Sequence, residues 1–148
     1  MQRLLASQNR EDNQLVGGIP VDSEYIVFII DTSGSMYNFA WSRVQQEMIN
    51  ILNIYPKVKG IQVMNDMGDY MFSSYRGKWI PDTPARRRAI LNRLANWTPF
   101  SNSSPVEGVE RAIRRFYASD KKIILYVFCD DFTVISISQV LITVDKIN

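Results

Sequence analysis

The feature that most constrains this chain is a pair of short, wholly apolar, β-branched runs, Tyr25 to Ile30 and Ile123 to Cys129. Such runs lack the apolar/polar alternation of a half-exposed strand, so each reads as a strand buried on both faces, as in a parallel sheet covered by helices. Both are far too short to span a bilayer, and Met1 to Arg10 lacks the apolar core of a signal peptide. With 148 residues, 46% of them hydrophobic and 22% charged, the chain reads as one soluble globular domain. A chain of that size buries roughly 70% of its unfolded surface, enough for a core without covalent staples. Localisation stays open, because a domain excised from a secreted or anchored parent carries no targeting information of its own.

Between and after these runs, elements alternate. Val44, Met48, Ile51, Leu52 and Tyr55 recur at helical spacing and stop before Pro56. Gly60 to Asn65 reads as a second strand, and Asp66 to Asp69 as a turn into a short antiparallel edge strand, Tyr70 to Phe72. Thr83 caps a helix with Pro84 in its first turn, and Ile90, Leu94 and Trp97 face its core side. Ser104-Pro105-Val106-Glu107 reads as a capping box opening a helix whose buried stripe is Val106, Val109, Ile113 and Phe116. After Asp130-Asp131 a last helix is expected through Val140, Leu141, Val144 and Ile147. Residues 1–22 are polar and read as a leader or linker, with the domain proper at 23–148. Strands alternating with helices predict an α/β class: a Rossmann-like, doubly wound, mostly parallel sheet with one short antiparallel edge strand and helices on both faces.

Composition removes whole chemistries. There is no His, which excludes Ser-His-Asp and Cys-His nucleophiles, HExxH metallohydrolases and imidazole proton shuttles. The single Cys, Cys129, excludes a disulfide framework and a cysteine-built zinc site, and reads as a small buried hydrophobe. The net charge of +2 is uneven: residues 84–122 hold nine Lys/Arg against three acids. These arginines read as solvated helix faces supported by the i,i+4 pairs Glu107–Arg111 and Glu110–Arg114, and without interleaved aromatics no nucleic-acid partner is expected.

What remains is oxygen chemistry. In parallel α/β sheets functional groups gather beyond the carboxyl ends of strands. The loop after the first strand supplies Asp31, Ser33 and Ser35; the loop before the capped helix supplies Ser101, Asn102, Ser103 and Ser104; the loop after the last strand supplies Asp130 and Asp131. Carboxylates and hydroxyls suit a hard cation, Mg²⁺ first, with Mn²⁺ or Ca²⁺ as alternatives. Hydroxyls two residues apart can converge on one point, with Gly34 permitting the bend between them. Taken alone, Asp-Thr-Ser-Gly-Ser reads equally well as a turn and helix cap.

From Glu24 to Asn148 the chain resembles the von Willebrand factor type A family, the fold shared with integrin I domains. The apolar strand followed by Asp31-Thr32-Ser33-Gly34-Ser35 matches that family's Asp-x-Ser-x-Ser motif in full. By resemblance these residues open a metal-ion-dependent adhesion site, with Ser33 and Ser35 coordinating Mg²⁺ directly and Asp31 acting mostly through water. Ser103 takes the place of the family's ligand Thr, with Ser104 as competitor, although the glycines before it are Ser101 and Asn102 here. Asp130 keeps the carboxylate of the third motif, and Asp131 replaces its glycine. The family's sheet continues with two more strands and at least one more helix, so the resemblance implies an absent C-terminal part. It also implies an unpaired edge on the strand Ile123 to Cys129, which predicts self-association.

The resemblance implies a non-catalytic interaction module that captures an Asp or Glu of a protein partner through the bound cation. Tyr37, Trp41 and Asp131 are candidates for flanking that partner, against simple packing for the aromatics and a solvated turn for Asp131. Two other readings stand beside it. One is a Mg²⁺-dependent phosphoryl-transfer hydrolase similar to the haloacid dehalogenase superfamily, with Asp31 as nucleophile; against it, Ser33 stands where a second Asp is typical. The other is a scaffold of the same fold with a vestigial metal site.

Overall fold

The computed structural model describes residues 15–16, 19–20, 23–101, 104–129, 132–138 and 141–147. Within the polar leader, β1 (Leu15–Val16) and β2 (Ile19–Pro20) form a minimal antiparallel pair. The main sheet has five strands in the order β4-β3-β5-β6-β7. Its centre is β3 (Tyr25–Ile30), flanked in parallel by β4 (Gly60–Asn65) and β5 (Lys122–Phe128). The register aligns Ile30 with Asn65 on one side and with Phe128 on the other, so the three carboxyl ends finish level.

Side-chain alternation along β3 divides the core in two, as a two-residue period demands. Ile26, Phe28 and Ile30, with Ile61, Val63, Ile124, Tyr126 and Phe128, face one layer of helices. That layer comprises α1 (Gly34–Phe39), α2 (Trp41–Ile54) and α3 (Pro84–Leu94). The expected stripe Val44, Met48, Ile51, Leu52 and Tyr55 is buried there, as are Ile90, Leu94 and Trp97. Val27, Ile29, Ile123, Leu125 and Val127 face the opposite layer, α4 (Val106–Phe116), through Ala112 and Phe116. The chain is thus an α/β domain with helices on both faces of a sheet whose centre is parallel. Burying each large aliphatic side chain contributes about 1.5–3 kcal/mol, so these two layers supply the main drive to fold.

Of the two helix starts that the sequence marks with a cap, one forms as expected. At α3 the Thr83 hydroxyl accepts from the Arg86 amide at 3.1 Å, and Pro84 occupies the first turn, where a missing N–H costs nothing. At α4 the expected Ser104 cap is displaced by one residue: Pro105 stands at the N-cap position and no side chain caps it. The buried face of α4 also rotates. Gly108, Ala112 and Phe116 are buried, Val109 and Ile113 are partly covered, and Val106 is 57% exposed.

Two expectations are corrected. The segment expected as a last helix is instead an antiparallel hairpin, β6 (Phe132–Ser138) and β7 (Leu141–Ile147), and β6 pairs with β5 from Lys122↔Ser138 to Val127↔Thr133. Both segments are dense in Val, Ile and Thr, whose branched side chains favour pleated sheet over helix. The edge of β5 is therefore covered within the chain, which removes the basis for expecting self-association there. At the other edge, Tyr70 to Phe72 forms no full strand. Only the bridges Met64↔Tyr70 and Ile61↔Ile80 close against β4. Among the described residues no helix is long and apolar enough to cross a membrane.

Candidate functional site

After β3 the chain runs to one side through α2 into β4, and after β4 it crosses to the other side of β3 to form β5. Neighbouring connections thus diverge at the carboxyl end of β3, the place where open α/β sheets bind ligands. Asp31 and Thr32 emerge there, 4% and 3% exposed, while Ser33 is half-buried and Gly34 and Ser35 are open to solvent. The Ser33 amide donates to Asp31 Oδ1 at 2.8 Å, which folds the loop back on itself. The Ser33 and Ser35 hydroxyl oxygens then lie 3.1 Å apart at the mouth. Gly34 is not needed for a bend, contrary to expectation: it opens α1 with no left-handed φ, and a Cβ placed on it would meet nothing within 4 Å.

Behind this mouth lies a polar floor made of the last residue of the expected second strand, Asn65, and the first of the expected turn, Asp66. Asn65 and Asp66, at the end of β4, are both fully buried. Asp66 Oδ1 accepts from the Thr32 amide at 3.2 Å and the Thr32 hydroxyl at 3.4 Å, and Asp66 Oδ2 accepts from the Ser101 hydroxyl at 2.8 Å. The same Ser101 hydroxyl lies 3.3 Å from Asp31 Oδ1, so one side chain bridges the carboxylates at the ends of two strands. Asn65 ties the loops together: its Nδ2 donates to the Phe100 carbonyl at 2.8 Å and to the Thr32 hydroxyl at 3.3 Å. Its Oδ1 accepts from the Met67 and Asp69 amides at 3.0 and 2.9 Å. A signal was legible, since an Asp one residue beyond a buried parallel strand occupies the same topological position as Asp31.

Of the residues expected to hold a cation, Asp31, Ser33 and Ser35 come together at the strand end, and Ser101 joins them from the third loop. Ser103, Asp130 and Asp131 lie outside the described residues. Trp41 is buried, its Nε1 donating to the Leu94 carbonyl at 3.0 Å, which makes it a link between α2 and α3. Tyr37 packs on Trp41 with ring centroids 4.2 Å apart and planes tilted by 44°, and its hydroxyl donates to the Trp97 carbonyl. Burial, reinforced by the charge of Asp66, pushes the Tyr37 phenol up to about 12, so it stays a neutral donor at every physiological pH. The aromatic pair forms a wall of the domain beside the site.

The donors at the mouth are all oxygen, with neither imidazole nor thiolate, and this fits a small hard dication and not zinc. Among the described residues no group of three or more His, Cys, Asp or Glu converges. Hydroxyls must therefore provide much of any coordination sphere built from them, leaving carboxylates to balance charge. No protein-family model, curated protein or solved structure matches this chain.

Proposed function

We propose that the chain is a divalent-metal-dependent protein-interaction module, without catalysis of its own, that captures an acidic side chain of a partner protein. The observation that carries this reading is the 3.1 Å approach of the Ser33 and Ser35 hydroxyls at the solvent-open end of a loop pinned by Asp31. In it, Ser33 and Ser35 hold Mg²⁺ directly, Asp31 supports it through water, and Ser103 and Asp130 complete the site, as the Asp-x-Ser-x-Ser resemblance implies. Mn²⁺ and Ca²⁺ are alternative occupants. Bound there, the cation supplies positive charge and a coordination position facing solvent, suited to a carboxylate.

The chain's own residues prepare that position. Asp31, buried and hydrogen-bonded, brings negative charge to the floor without filling the mouth. Ser33 and Ser35 present neutral oxygens, so the two direct ligands add no charge of their own to repel an incoming anionic side chain. The open space over Gly34 gives that side chain room to approach.

The test is thermal unfolding in millimolar Mg²⁺ or Mn²⁺ against EDTA, on the wild type, Asp31→Ala and Ser33→Ala. A ligand present at one hundred times its dissociation constant stabilises the native state by about 2.7 kcal/mol. A metal-dependent rise in Tm that both variants lose supports the reading. A wild-type Tm unmoved by millimolar metal overturns it.

A further inference from the structure

A turn held by a buried carboxylate carries the desolvation penalty of its charge, whereas an Asn can hydrogen-bond a turn without it. Asn65 already does that work, its side chain accepting from the Met67 and Asp69 amides. Asp66 is fully buried beside it and takes no part in those turn bonds. Its carboxylate instead faces the strand-end loops, with one oxygen on Thr32 and the other on Ser101.

We propose that Asp66 is a positioning residue of the strand-end site, setting its cation affinity by orienting and polarising Ser101. The proposal rests on the metal-site reading given above. A serine hydroxyl has one proton to give. Here it is offered to two carboxylates at unequal distances, 2.8 Å to Asp66 Oδ2 and 3.3 Å to Asp31 Oδ1, so Asp66 draws it. The consequence is twofold. Asp31 keeps more of its charge for the mouth, and the Ser101 oxygen becomes a more basic donor, as carboxylates do for groups they hydrogen-bond in metal sites. The second oxygen of Asp66, on the Thr32 amide, fixes the backbone one residue before Ser33.

The position of Asp66 is itself rigidly set. Its carbonyl accepts from the Gly108 amide at 2.8 Å. A Cβ on Gly108 would stand 2.4 Å from the Asn65 carbonyl oxygen and 3.1 Å from that of Asp66, so helix α4 presses directly on this backbone. Two loops therefore meet on the Asp66 side chain through charge-assisted hydrogen bonds, the stronger kind, while α4 braces its backbone.

The experiment is titration of the full chain with Mn²⁺, following loss of the free-ion electron paramagnetic resonance signal. Wild type, Ser33→Ala, Asp66→Asn, Ser101→Ala and the double variant Asp66→Asn/Ser101→Ala are compared, with folding checked by circular dichroism. Ser33→Ala is expected to lose binding, and Asp66→Asn and Ser101→Ala each to weaken it 10–100-fold, the usual effect of removing a supporting partner of a metal ligand. Asp66→Asn keeps one oxygen to accept from the Thr32 amide and so removes chiefly the carboxylate on Ser101, and the double variant is expected to bind no more weakly than the worse single one. Asp66→Asn at wild-type affinity while Ser33→Ala loses Mn²⁺ would overturn this proposal and leave the metal site standing. Effects of the two substitutions that multiply in the double variant would also overturn it, since Asp66 would then act on its own account. A wild type that takes up no Mn²⁺ sinks the site and the proposal together. Should Asp66→Asn fail to fold, Ser101→Ala decides: unchanged affinity refutes the proposal, and a tenfold loss supports it.

Discussion

The two ends of the central sheet both bury aspartate, and they treat it in opposite ways. At the amino end, where Val58 leads into β4, Asp82 is gripped by Arg87, with Nε to Oδ1 and Nη2 to Oδ2 both at 2.7 Å, and by the Val58 amide at 2.8 Å. Arg87 also donates to the Leu52 and Tyr55 carbonyls at 2.6 and 3.2 Å, tying the end of α2 to the start of α3. At the carboxyl end, the donors on Thr32, Ser33 and Ser101 that meet Asp31 and Asp66 are neutral hydroxyls and amides. The first arrangement is closed: charge meets charge in a planar fork, and the result is a clamp. The second concentrates negative charge beside hydroxyls that open to solvent. One end of the sheet thus meets its aspartate with an arginine, and at these contacts the other meets its aspartates with neutral groups, which is the contrast that the proposed cation site builds on.

The largest effect should come from breaking the clamp. Arg87→Ala leaves Asp82 buried without its counter-charge and strips two helix-end carbonyls of their donor. Denaturant unfolding is expected to show a loss of about 3 kcal/mol, at the lower end for a broken buried pair because the arginine is partly exposed. A loss below about 1 kcal/mol would mean that the clamp is no stronger than a surface pair. Acid probes the same group. Burial alone would raise the Asp82 carboxyl, but the Arg87 hydrogen bonds, the Val58 amide and the charges of Arg87 and Lys57 outweigh it and hold it below the usual carboxylate range. A depressed native value means that Asp82 stabilises the fold fully above its unfolded value, about pH 4, and that this is lost as pH falls through the native value. Stability of the wild type is therefore expected to drop more steeply below about pH 4 than that of Asp82→Asn, measured by urea midpoints along the pH series.

A middle-sized effect is expected where the site leans on the fold. In an ordinary helix Gly→Ala is worth up to about 1 kcal/mol in favour of alanine. Gly108 is the exception, because the added methyl would press on the carbonyls of Asn65 and Asp66 and on Ile29. Gly108→Ala is expected to lose about 2 kcal/mol, the cost of overpacking against atoms that cannot retreat. It should also disturb the carboxyl end more than the amino end, visible as amide-proton shifts at Thr32 and Ser101 larger than those at Val58. Equal shifts at both ends would argue that α4 does not bear on the site locally.

What could be read in the sequence tracks how far each signal depends on neighbours along the chain. The strands Tyr25–Ile30 and Gly60–Asn65, the stripe from Val44 to Tyr55 and the Thr83 cap are local patterns, and they appear as expected. The final hairpin departs from the expected helix because Val140, Leu141, Val144 and Ile147 also satisfy a helical spacing. The β-branched density from Thr133 to Ile147 and the open edge of β5 argued for strand, but edge pairing is a tertiary fact. At the site, Asp31, Ser33 and Ser35 announce themselves within five residues. Asp66 and Ser101 do not, because what marks them is each other: residues 35 apart in sequence meet in one hydrogen bond. The arginines of α3 were grouped as a solvated face, and Arg87 departs from it only because Asp82 lies five positions earlier, one residue before the helix cap.

The smallest expected effect is the sharpest test of the contrast between the two ends. Ser35 is exposed, and its hydroxyl meets that of Ser33 at a distance water can replace on both sides. If the mouth is built to receive a ligand and not to hold the fold, Ser35→Ala in EDTA should unfold within about 0.5 kcal/mol of wild type, as surface substitutions away from structural features do. In saturating Mg²⁺ the same variant should fall behind, by whatever stabilisation the cation confers on the wild type. Arg87→Ala should show the reverse pattern: a large loss in EDTA, and an undiminished gain when Mg²⁺ is added. A Ser35→Ala chain markedly destabilised in EDTA would make the hydroxyl pair a structural cap for α1, and the carboxyl end would then be a second clamp of a different kind.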